Sequence, residues 1–131
     1  MPVATANANS AFVTLAAVLA GLAVAAGAFG AHALQGHVDA AALQIWHTAV
    51  EYQMWHALAL LMIALHAERI RFATSMCGIL VVEIALFSGS LYALALGAPR
   101  IVGIVTPFGG VAFIAAWGLL TVGLRKRDRV D

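Results

Sequence analysis

Charge is what this sequence has least of. Seven Lys or Arg and six Asp or Glu in 131 residues make it 10% charged, whereas soluble domains are about a quarter charged. With a formal net charge of +1, the chain has no basic surface that would call for nucleic acid. Cysteine is limited to Cys77, which excludes an internal disulfide framework. No Lys or Arg precedes Arg69. The apolar first segment reaches small residues at "AVAAGAFGA" but lacks the basic start of a secretory signal, so it is expected to be a retained helix. Enzyme signatures are also missing: there is no phosphate loop, no nucleophile elbow and no pair of catalytic carboxylates.

What is abundant is hydrocarbon. The sequence is 63% hydrophobic, with a mean hydropathy of +0.97. A bilayer-spanning helix needs about 20 mostly apolar residues, and four segments qualify: residues 12–33, 43–65, 73–96 and 101–124. Short connections such as "ERIR" and "GAPR" enforce antiparallel neighbours. The expected fold is an all-α four-helix transmembrane bundle forming a single membrane domain, followed by a basic tail over 125–131. Four spans put Arg69, Arg71, Arg125, Lys126, Arg127 and Arg129 on one side and Arg100 on the other. By the positive-inside rule both termini face the cytoplasm, and "RKRDRV" anchors to anionic headgroups.

Polar residues inside such spans are costly and usually face the bundle interior. At about 1.5 Å of rise per residue, the second helix places Trp46 and Trp55 in the outer interface, with Glu51 and Tyr52 at or just below it. Thr48, Tyr52 and His56 stand at i, i+4, i+8 and share a face. The same counting brings His32, Ser88, Ser90, Tyr92 and Thr106 to the outer half. A candidate polar pocket therefore comprises His32, Thr48, Glu51, Tyr52, His56, Ser88, Ser90, Tyr92 and Thr106, with interhelical hydrogen bonding as the plainer reading. Glu83, near the midplane, is an intramembrane carboxylate with no basic residue at its depth, a candidate for proton relay or for contact with a partner subunit. Small residues at Ala17, Gly21 and Ala25, continued by Gly27 and Gly30, suit close helix packing. "TPFGG" predicts a kink at Pro107, Gly109 and Gly110.

"GAFGAHAL" (27–34), "TAVEYQMWHALALL" (48–61), "LFSGSLYALAL" (86–96) and "VTPFGGVAFIAAWGLL" (105–120) resemble the YgdD/YwdK-like family of small integral membrane proteins, domain-of-unknown-function family 423, to which the animal transmembrane protein 256 is similar. The resemblance touches all four helices in order. It implies a four-helix protein of the bacterial inner membrane and no established activity. The family's pattern falls on His32, Tyr52, His56, Ser88, Gly89, Ser90, Tyr92, Thr106, Pro107, Gly109 and Gly110, and does not include Glu83.

Three functions compete. Size and packing surface point to an accessory or assembly subunit of a membrane complex, or to a homo-oligomer in the bilayer. The outer polar cluster points instead to a pocket for a small molecule, quinone or lipid. A haem held by His32 and His56 needs paired axial histidines on facing helices. A zinc site at His32, His56 and Glu51 lacks the close spacing of metal motifs. No cofactor is expected.

Overall fold

The computed structural model describes residues 2–125, and the side chains of 8–124. Four α-helices make up most of it: α1 (Pro2–Phe29), α2 (Ala40–Leu65), α3 (Ala73–Ala95) and α4 (Val105–Arg125). All are long and apolar enough to cross a membrane, with candidate spans over Ala8–Leu34, Ala40–Leu65, Ala73–Ala95 and Arg100–Leu124. No β-strand occurs among the described residues.

The helices begin and end for local reasons. Helix α1 starts well before the expected residue 12. Helicity needs only compatible backbone, and proline is favoured in a first turn because its missing N–H has no partner there in any helix. Its last turn is π-helical over Gly30–Leu34. Asp39 caps α2, its Oδ1 accepting the Ala42 N–H at 2.7 Å, as N-cap aspartates do. Helix α3 closes in a Schellman motif: the Gly97 N–H donates to Leu94 O and the Ala98 N–H to Ala93 O. Gly97 takes the left-handed conformation, φ +93°, that this cap requires. Pro99 then opens a 3-10 turn over Arg100–Ile104 that runs directly into α4.

This last feature bears on the kink. The change of helical form falls at Ile104–Val105, so Pro107 sits in the first turn of α4, where a missing N–H costs little. Gly109 serves proximity. A Cβ on Gly109 would lie 2.8 Å from Phe87 Cβ and 2.9 Å from its backbone N, and one on Gly110 would touch the Phe87 ring.

Helices α2 and α3 form the centre, with α1 packed on α2, α4 packed on α3, and little contact between α1 and α3. Among the described residues the backbones of α1 and α4 do not meet. The main core joins Leu60 and Ile63 of α2 to Met76, Cys77 and Leu80 of α3 and Phe113 and Leu120 of α4, with Ala16 reaching in from α1. On α1 the packing face is Ala16, Ala23 and Gly30, all buried, with Gly27 against Val50. The expected strip of Ala17, Gly21 and Ala25 is exposed instead. Both strips are small; only one can face α2. Lys126, Arg127 and Arg129 of the basic tail lie outside the described residues, as does the side chain of Arg125.

Candidate functional site

The inward polar residues are joined across helices. Trp46 of α2 donates its indole N–H to Ala26 O of α1 at 2.8 Å. Its ring fills the space over Gly30, where a Cβ would stand 2.7 Å from the indole, and packs on Phe29 and Tyr92. Trp46 is thus buried, not an interfacial anchor as depth alone suggests; Trp55 is the exposed indole of α2. Gln53 donates through Nε2 to Leu19 O of α1 at 2.8 Å and accepts at Oε1 from the Tyr92 hydroxyl of α3 at 2.8 Å. One buried amide therefore ties three helices.

Nearby, Ser88 donates to Ala49 O at 2.8 Å, fastening α3 to α2. Ser90 donates to Phe87 O at 2.9 Å within α3, which leaves its oxygen to accept from Thr106 of α4 at 2.7 Å. His56 lies deeper. Its Nδ1 is 2.7 Å from Tyr52 O, and its Nε2 accepts the Trp117 indole N–H at 3.2 Å. A carbonyl can only accept, so Nδ1 carries the proton and Nε2 the lone pair. The ring stacks on Phe113 at 3.6 Å between centroids and on Tyr52, while Phe87 packs edge-on against Phe113.

Tyr52, His56, Ser88, Ser90, Tyr92 and Thr106 thus all face the interior, each engaged by a hydrogen bond or ring contact, mostly in the half of the bundle that ends at Asp39 and Arg100. Three expected members stand apart from it. His32 and Glu51 are exposed, and Thr48 is half-buried, its hydroxyl donating to Gln44 O of its own helix at 3.1 Å. Counting rise along a helix gives depth but not the direction a residue faces. These apolar helices lack a polar side that would fix it. Gln53 and Trp117 were absent from the expected cluster. Gln53 had a signal, as a lone amide one turn before His56; Trp117 had none.

The same geometry speaks to a cofactor. Both His56 nitrogens are engaged, so a metal could be held there only by breaking one of those bonds, and His32 is not in the interior. Among the described residues, no group of three or more His, Cys, Asp or Glu could hold a metal ion.

Glu83 is 1% exposed, and neither carboxyl oxygen has a hydrogen-bond partner among the described residues. It lies among the buried residues of the single bundle. A shallow groove of about 670 Å³ runs between α1 and α3, with Leu22, Phe29 and Ala85 among its walls. The polar atoms that Gln53 and Tyr92 bring to its wall are already bonded to one another and to Leu19.

Comparison with known proteins finds relatives that are named as membrane proteins. The family described as "Protein of unknown function (DUF423)" matches residues 26–110. The chain is 45% identical over 118 residues to the UPF0382 membrane protein YwdK of Bacillus subtilis, covering 88% of this chain and 96% of that one. It is 43% identical over 125 residues to the UPF0382 inner membrane protein YgdD of Escherichia coli, covering 92% and 95%. No solved structure matches.

Proposed function

This chain belongs to the DUF423 protein family, and from that premise we propose that it is a non-catalytic packing subunit of the bacterial cytoplasmic membrane, joining a larger membrane complex or further copies of itself. Both termini lie on the cytoplasmic side. The positive-inside rule supports this through Arg69 and Arg71 on the α2–α3 connection and the basic tail, and the printed name of the E. coli relative, an inner membrane protein, supports the location.

The observation that carries the reading is the division of small residues on α1. Ala16, Ala23 and Gly30 are used against α2, while Ala17, Gly21 and Ala25 remain exposed, with nothing within 4 Å of the position of a Cβ on Gly21. Small residues let membrane helices approach closely where bulky ones would hold them apart. The pairing of Gln53, His56, Ser88, Ser90 and Thr106 with protein groups supports the same reading over a ligand pocket.

Photocrosslinking in intact cells tests this. A photoreactive residue replaces Leu22 on α1, beside the small strip, or Ile114 on α4, the most exposed large side chain of that helix. The expected result is a defined protein adduct, another subunit or a second copy, from the Leu22 position. Lipid adducts alone from both positions would overturn the proposal.

A further inference from the structure

The end of the bundle opposite Arg69 and Arg71 carries a second groove, of about 960 Å³, between the start of α2 and the 3-10 turn and first turns of α4. Its walls are apolar, with Ile45, Leu94, Ile104 and Phe108 among them. Two charged residues stand in the same lining: Asp39, immediately before α2, and Arg100, where the fourth span begins. Both are exposed, and no ion pair within 4.0 Å joins them. Among the described residues, the Asp39 carboxylate hydrogen-bonds only the Ala42 N–H that it caps. An apolar trough at the ends of two candidate membrane spans, with an anion and a cation in its lining that do not pair with each other, is complementary to a molecule that is apolar along its length and zwitterionic at its head.

We propose that this groove binds a zwitterionic phospholipid with a primary ammonium, of the phosphatidylethanolamine class: its phosphate meets Arg100, its ammonium meets Asp39, and an acyl chain lies along Ile45, Leu94, Ile104 and Phe108. The guanidinium presents several N–H donors to phosphate oxygens. The carboxylate accepts from an ammonium N–H, which a choline headgroup lacks. An anionic phosphatidylglycerol would satisfy Arg100 but set no positive charge against Asp39. The site is independent of the packing reading, because neither residue belongs to the α1 strip or to the polar network.

Lipid retention by native mass spectrometry tests it. The full chain is purified in detergent and offered phosphatidylethanolamine, phosphatidylglycerol and phosphatidylcholine with identical acyl chains. One phosphatidylethanolamine per chain is expected to be held in preference to the other two. Asp39→Asn keeps a capping oxygen of about equal quality but removes the charge, and is expected to erase the preference over phosphatidylglycerol. Arg100→Gln is expected to lower phosphatidylethanolamine occupancy by about twofold to fivefold, the scale of a partly exposed ion pair. Arg69→Gln, at the other end, is expected to change nothing. Equal retention of the three lipids by the wild type, unchanged selectivity in both groove variants, or an Arg69→Gln loss as large as that of Arg100→Gln would overturn the proposal.

Discussion

Gln53 and Glu83 are both buried polar residues in membrane-spanning helices, and their surroundings give them opposite roles. Gln53 bonds Leu19 and Tyr92, and interhelical hydrogen bonds in membranes average roughly 0.6 kcal/mol each. Gln53→Leu is therefore expected to lower stability by about 1 kcal/mol, read as a fall in thermal or denaturant midpoint in detergent. Glu83 has no hydrogen-bond partner to lose among the described residues, and replacing an unsatisfied polar group by an apolar one of similar shape is close to neutral or stabilising. Glu83→Met is expected to leave the midpoint unchanged or raise it. A drop as large as that of Gln53→Leu would mean that the carboxyl does have a partner. Sequence reasoning found Glu83 by its rarity at that depth but could not say whether anything answered it. For His56 it gave the depth and not the Trp117 partner, which lies 61 residues away.

At the scale of elements, spacing between α3 and α4 is set by Gly109 against the backbone of Phe87. Gly109→Ala must move one helix, at a cost of about 1–3 kcal/mol for overpacking. Gly118, on the same helix with nothing within 4 Å of a Cβ, is the control: Gly118→Ala is expected to be neutral or to stabilise through helix propensity. A Ser90→Cys, Thr106→Cys pair reports the same spacing. It should crosslink readily in the parent protein and less in the Gly109→Ala background; equal yields would mean that Gly109 does not set the distance. The existence and order of the helices were legible because apolar runs of membrane length have no other reading. Their facing was not. Ala17–Gly21–Ala25 and Ala16–Ala23–Gly30 are both thin strips, and nothing in α1 itself marks which one meets α2. The choice is made by Trp46, a residue of another helix that needs Gly30 beneath its ring.

The molecule as a whole is a bundle with two central helices and two flanking ones. Helices α1 and α4 keep most of their apolar surface facing outward, Val18, Leu22 and Val24 on one and Phe108, Val111 and Ile114 on the other. In a bilayer such surface can face lipid at no penalty. What distinguishes α1 is the exposed small strip, a shape that lipid does not require and that a close helix would use. The interior, in contrast, is fastened by separate interhelical bonds, Trp46 to Ala26, Gln53 to Leu19 and Tyr92, Ser88 to Ala49, Ser90 to Thr106 and His56 to Trp117, with Glu83 the exception among the described residues. An open cargo site would leave donors or acceptors turned to a cavity, and the polar atoms of Gln53, His56, Ser88 and Ser90 are matched by protein groups.

The most direct test is native mass spectrometry of the protein released gently from its own membranes, carrying a tag at its C-terminus. The expected result is a stoichiometric protein assembly, with a partner subunit or further copies, that holds no small molecule other than phospholipid. A monomer carrying one defined non-lipid molecule, lost when Gln53 or His56 is replaced, would contradict the packing account and make the polar interior a binding site.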